Sequence, residues 1–222
     1  MSIAAALRSP DQDTRVRIVE TAERLFREIG YQKTTVADIA KALRMSPANV
    51  YRFFDSKKSI NEAVVERLMR EVELAIGEIA GRKAPAASRL REMIATMHRM
   101  NAALYTHDLR MHEMVEVALA ESWQVVHGHI ERKSEIFHRV VADGIASGEF
   151  RADDAVTASR CVQVAMIRFF HPVLMVQCAN EPGPSLDALT DFVLGGLGCV
   201  DSPSATRRKA PARSSKGPKR VT

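Results

Sequence analysis

Apolar residues recur along most of this chain at intervals of three and four, the spacing of a helix with one buried face. No strand-like alternation interrupts them. The pattern predicts an all-α fold of about nine helices, over residues 12–29, 36–42, 47–54, 57–79, 87–105, 109–119, 122–146, 154–178 and 185–197. In the first, Ile18, Ala22, Leu25, Phe26 and Ile29 share a face, and Gly30 follows as the stop. Thr35, with Asp38 three residues on, resembles a capping box for the second helix. Ser46-Pro47 opens the third: the serine caps, and proline in the first turn loses no needed donor. The fourth buries Ile60, Val64, Leu68, Val72 and Ile76 before a break at residues 81–85. Pro172 removes a backbone donor inside the predicted helix 154–178 and is expected to kink it.

Composition narrows the class. The 222 residues are 46% hydrophobic and 27% charged, enough to bury a real core. The most apolar stretch, residues 161–179, is interrupted by Gln163, Arg168, His171 and Gln177, so no membrane span is expected. The first residues hold too short an apolar run for a secretory signal, and three widely spaced cysteines make no disulfide framework. A cytoplasmic location is therefore expected.

The net charge of +5 is unevenly spread. Residues 201–222 carry seven basic groups against Asp201 alone, whereas the other 200 residues are close to neutral. Residues 1–58 hold 11 basic and 7 acidic groups. A basic head and a basic tail around an acidic middle point to polyanion contact at the ends. The tail, made of Ser, Pro, Ala, Lys and Arg, cannot bury enough surface to fold and is expected to be disordered. It is either a solvated extension or an arm that slides on DNA by counterion release.

The informative segment runs from Thr34 to Lys58. Two short helices joined by a tight turn at residues 43–46 have the size of a helix-turn-helix. Val36, Ile39, Ala40, Leu43, Val50 and Phe54 supply their inward faces, which leaves Pro47, Ala48, Asn49, Tyr51 and Arg52 directed outward. Small and polar residues at a helix start suit entry into a major groove. Asparagine pairs bidentately with adenine, arginine with guanine or a phosphate, and a tyrosine hydroxyl with a phosphate. Thr34 and Thr35 stand at the entry of the first short helix as caps or phosphate contacts. Lys57 opens the fourth helix, an unfavourable place for a cation, which favours a phosphate partner for it.

The run from Gly30 to Val65 resembles the N-terminal domain of TetR-family transcriptional regulators. That family shows G-(Y/F)-x-x-(T/S)-(T/S)-(V/I)-x-x-I-A, then G-(V/L)-S-x-x-x-x-Y-x-(Y/H)-F-x-(S/N)-K. This chain supplies Gly30, Tyr31, Thr34, Thr35, Val36, Ile39 and Ala40, then Ser46, Tyr51, Phe54, Ser56 and Lys57. Arg44 stands where the turn commonly has glycine, and Phe53 where Tyr or His is common. The resemblance implies a flexible start over 1–11, a DNA-binding head over 12–56 and a regulatory and dimerisation domain over 57–200, with the disordered basic tail at 201–222. It also implies a homodimer on double-stranded DNA that represses transcription until a small-molecule effector binds.

Residues for the second and third of those roles are less sharply marked. Met93, Met97, Met100 and Met114 are either core or an adaptable pocket wall, which Trp123, Phe137, Phe169 and His171 would join. The stretch 154–178 is apolar on much of its circumference, and with 185–197 it is the expected dimer face, through Val164, Ile167, Leu189 and Phe192. Seven histidines form no metal-ligand spacing, so no metal and no cofactor beyond the effector is expected. No phosphate loop or nucleophile motif is present, which disfavours an enzyme. The competing reading is an architectural DNA binder that works through the basic tail without a ligand.

Overall fold

In the computed structural model, residues 9–105 and 109–199 are described, and among them the fold is all-α. The expected flexible start falls partly, and the basic tail wholly, outside these residues. Eleven helices appear among the described residues: α1 (Pro10–Ile29), α2 (Val36–Ala42), α3 (Pro47–Tyr51), α4 (Lys57–Ala80), α5 (Ala86–Tyr105), α6 (Leu109–Glu121), α7 (Trp123–Ala146), α8 (Ala155–Ala165), α9 (Ile167–Phe170), α10 (Pro172–Gln177) and α11 (Leu186–Gly196).

Two departures have local causes. Helix α1 begins at Pro10 because Ser9 and Gln12 form a capping box, so residues 10 and 11 are helical rather than part of a loose leader. The single helix expected over 154–178 is three helices. Met166 ends α8, and His171, in extended backbone before Pro172, ends α9. The proline thus breaks the helix instead of kinking it. Gly30 stops α1 as expected, at φ 97° and ψ 151°, a conformation open to glycine.

Helix α4 belongs to two cores. Its first half, through Ile60, Val64, Val65, Leu68 and Met69, joins α1, α2, α3 and α6. Its second half, through Val72, Ile76, Ile79 and Ala80, joins α5, α7, α8, α9 and α11. Helix α4 is thus rooted in both. Helix α6 packs with the head, contributing Met111, Met114, Val115 and Ala118 to its core. Three polar ties join α4 and its neighbours there: Asn61 Nδ2 donates to the Met114 carbonyl at 3.3 Å, Ser122 Oγ to Glu62 at 2.7 Å, and Lys58 meets Glu121 at 4.0 Å. In the body, a Cβ on Gly144 would stand 2.2 Å from the Phe150 ring, so only glycine lets α7 and the following turn approach.

Candidate nucleic-acid interface

Three helices build the head, and local chemistry sets each of their ends. The Thr35 hydroxyl accepts from the Asp38 N–H at 3.2 Å, while the Asp38 carboxylate accepts from Thr35 N–H at 2.9 Å. The Thr35 hydroxyl also donates to that carboxylate at 2.6 Å, and this bond, then the one from Thr35 N–H, holds Asp38 below the usual carboxylate range. Helix α2 ends in a Schellman motif: Met45 N–H donates to the Ala40 carbonyl at 3.0 Å, and Arg44 N–H to that of Lys41 at 3.1 Å. Arg44 takes the left-handed conformation this requires, at φ 57°, the strained turn its place in the pattern implied. Ser46 then caps α3 by accepting from Asn49 N–H at 3.3 Å.

The result is a short helix whose first turn stands clear of the core. Pro47, Ala48, Tyr51 and Arg52 are exposed and Asn49 is half-buried, while Val50 is fully buried beneath them. Arg52 donates to the Asn49 side-chain oxygen at 3.3 Å, so the two expected base-reading groups lie in one hydrogen-bonded pair. Helix α3 ends at Tyr51 rather than Phe54. Arg15 of α1 holds the chain beyond it, donating to the Phe53 carbonyl at 2.6 Å with its guanidinium 4.0 Å from the Phe54 ring centroid. Phe53 and Arg15 are 38 positions apart, and no spacing rule links them.

Two of the proposed phosphate contacts are placed differently. Thr34 is completely buried and donates its hydroxyl to the Gly30 carbonyl at 2.8 Å, which takes it off any DNA face. Its role is to close the α1–α2 loop. Lys57 is half-buried and donates to three carbonyls of that loop: Tyr31 at 2.7 Å, Thr34 at 3.0 Å and Gln32 at 3.3 Å. These carbonyls answer the unfavourable helix start that suggested a phosphate. Thr35 stays exposed, as cap and at the surface together.

The pocket residues do not gather in one place. Met93, Met97 and Phe137 are fully buried in the body core, and Met100 and Phe169 pack against it. Met114 lies in the head core instead, and Trp123 is exposed at the start of α7. Hydrophobic character alone cannot say which of two cores a methionine joins. A cleft of about 480 Å³ opens beside α5 and α10, lined by His98, Ala102, Phe169, Leu174, Met175 and Cys178. Among the described residues no group of three His, Cys, Asp or Glu side chains could hold a metal ion, and no helix is long and apolar enough to cross a membrane.

The residues proposed for dimer contact lie on three helices, Val164 on α8, Ile167 on α9, and Leu189 and Phe192 on α11. Val164 and Phe192 are 70% and 76% exposed, Ile167 is exposed as well, and Leu189 is half-buried. A groove of about 480 Å³ lies between α8 and α11, lined by Ala158, Cys161, Val162, Ala165, Phe192 and Gly196, so that of the four proposed residues Phe192 borders it.

Two family profiles match the chain. The profile described as "Bacterial regulatory proteins, tetR family" matches residues 18–64, and "Tetracyclin repressor-like, C-terminal domain" matches residues 86–186. An uncharacterised HTH-type transcriptional regulator of Mycobacterium tuberculosis is 36% identical over 198 residues, 87% of this chain and 89% of that protein. The biofilm operon negative regulator IcaR of Staphylococcus aureus is 48% identical over 50 residues. That match takes in 22% of this chain and only 27% of IcaR's length. The crystal structure of Bacillus subtilis FadR with stearoyl-CoA superposes with a TM-score of 0.59 at 21% identity, covering 82% of this chain and 96% of that one.

Proposed function

The chain belongs to the TetR family of DNA-binding transcriptional regulators, and on that basis we propose that it binds a palindromic operator as a homodimer and releases it when a small molecule enters the body. The observation that carries the DNA reading is α3 itself. It is a capped helix start with Pro47, Ala48, Tyr51 and Arg52 exposed, set at a fixed angle to α2 by the Schellman turn. In this reading Asn49 and Arg52 touch base edges, while Thr35 and Tyr51 touch phosphates. Regulation by repression is supported by IcaR, a negative regulator 48% identical to this chain over 50 residues.

One head reads only a few base pairs, so two are needed at half-sites about one helical turn apart or a multiple of it. The open apolar face of α8, α9 and α11 supplies the pairing surface, and a four-helix packing of α8 and α11 across a two-fold axis covers it. The body holds the effector. The FadR protein of like fold, solved with stearoyl-CoA, supports room for a small molecule in such an architecture.

Selection of bound duplexes from a random library tests this. The expected outcome is one enriched palindrome, bound about 10³-fold or more above random DNA. Equal affinity for selected and random duplexes would return the architectural reading and sink the operator.

A further inference from the structure

The cleft beside α5 and α10, about 480 Å³ in volume, opens where the two cores of the molecule meet. Met175 of α10 lines it and is buried in the core of the head with Met111 and Met114 of α6; Ala102 of α5 packs against that core too. Phe169 of α9, a third lining residue, packs instead against the core of the body. Its place is set from α5: His98 Nδ1 donates to the Phe169 carbonyl at 3.2 Å, and the two rings meet edge to face with centroids 5.5 Å apart. With Leu174 these side chains give the cleft apolar walls and the size of a small-molecule site.

Arg168 of α9 puts a charge into this wall. Its Nη2 donates to the carbonyls of Cys178 and Glu181, both at 2.7 Å, which engages both hydrogens on that nitrogen and pins the loop after α10. Gly183 lets the guanidinium lie against the backbone, since a Cβ there would stand 2.6 Å from Nη1. The arginine is thereby held in one orientation, by groups that do not neutralise it. Arg67, Arg89 and Arg132 also join distant segments, and each does so through a carboxylate, of Glu23, Asp143 and Glu73 respectively. Arg168 has no ion pair among the described residues, and its Nη1 and Nε have no protein acceptor there. Glu181 borders the cleft as well, but it meets Arg168 through its carbonyl and not its carboxylate. Carbonyls orient a guanidinium without cancelling its charge, and a fixed cation between apolar walls attracts an anion more strongly than one in open water.

We propose that this cleft is the effector site and that its ligand is an organic acid. The carboxylate accepts from the free nitrogens of Arg168, and the apolar body lies against Phe169, Leu174 and Met175. The proposal rests on the effector reading above and names its site and ligand class. Because Met175 belongs both to the cleft wall and to the core that α1, α2, α3 and α4 build with α6, a ligand that displaces it acts on the packing of the head.

The test compares the full chain with three variants. Arg168→Gln removes the charge but can still donate to a loop carbonyl, Ala102→Leu fills the cleft and keeps the arginine, and Glu181→Gln removes the like charge at the rim. Phenylacetate and octanoate are the probes, with phenylacetamide and octanamide as their neutral counterparts. At least one acid should raise the wild-type Tm by about 4 °C or more, while its amide gives no shift. Measured against each variant's own ligand-free Tm, the shift should vanish in Arg168→Gln and Ala102→Leu and grow in Glu181→Gln. The same acid should weaken wild-type binding to the selected operator. The proposal is overturned if neither acid shifts the wild type, if acid and amide shift it alike, or if either Arg168→Gln or Ala102→Leu keeps the full shift. Should Arg168→Gln fail to fold, Ala102→Leu and the comparison of acid with amide still decide. An acid that binds through Arg168 and leaves operator affinity unchanged overturns the effector role of the cleft. Failure to select any operator, with acid binding intact, removes the DNA reading and supports the acid site alone.

Discussion

The ammonium of Lys57 sits 4.3 Å from the centroid of the Tyr31 ring while donating to the carbonyl of that same residue at 2.7 Å. One side chain therefore fixes both the ring and the backbone of the loop that aims α2. Replacing it with methionine leaves three carbonyls without their charged donor and should cost about 1–3 kcal/mol of stability. DNA affinity should fall with it. The slope of log affinity against log salt tells bracing from contact: it stays unchanged for a brace and drops by about one for a phosphate contact.

Asn49→Ala and Arg52→Ala should leave the fold intact, because Arg52 is exposed and Asn49 reaches only Met45 and Arg52. Each should lose about 1–3 kcal/mol of preference for the selected operator. Fluorescence anisotropy against single-base variants reads this out, and wild-type selectivity in both mutants would remove α3 from the groove.

Arg44 adopts φ 57°, where a Cβ is strained and glycine is not. Arg44→Gly relieves that strain but adds freedom to the unfolded chain, so the expected net gain is small, at most about 1 kcal/mol. Urea denaturation measures it; a loss of stability would show that the Arg44 side chain contributes more than its backbone costs.

Phe192→Asp and Ile167→Asp change exposed positions, so each subunit should keep its secondary structure. Sedimentation should find the wild type dimeric at micromolar concentration and the variants monomeric. Operator binding should be lost with dimerisation, since the second half-site goes unread. Monomeric wild-type protein at that concentration would refute the pairing surface.

Stability should fall in two stages on acidification, and the contact between α4 and α7 contributes to both. His129 Nδ1 lies 2.8 Å from Glu73, yet burial outweighs that pull and holds its pKa below the ordinary 6.5. The unfolded chain therefore takes up the proton first, and stability drops as pH falls below about 6.5. Burial works to raise the Glu73 pKa, but hydrogen bonds from Arg132 and His129 hold it below 4.5. Its contribution is present above that value and lost beneath it. Melting curves from pH 8 to pH 3 should show both stages, and His129→Gln should reduce the first without erasing it, because burial also holds the His171 imidazole below its ordinary pKa.

The elements this sequence settled on its own are those whose causes lie within a turn of each other. The Thr35–Asp38 box, the Ser46-Pro47 start and the stop at Gly30 each involve partners at most four positions apart. Helical periodicity marked Val50 as buried and Tyr51 and Arg52 as outward for the same reason. A charge at a helix start, by contrast, shows only that it needs a partner. Lys57 found three carbonyls 23 to 26 positions away, and a phosphate would have satisfied the same rule. Thr34 looked like its neighbour until the α1–α2 loop closed over it. The methionines carry the same apolar signal whether they join one core or the other, and the packing of α6 against the head sent Met114 away from Met93 and Met97. Only the tertiary structure decided these cases, because a side chain's long-range partner depends on which helices meet, and a residue's local spacing does not record that.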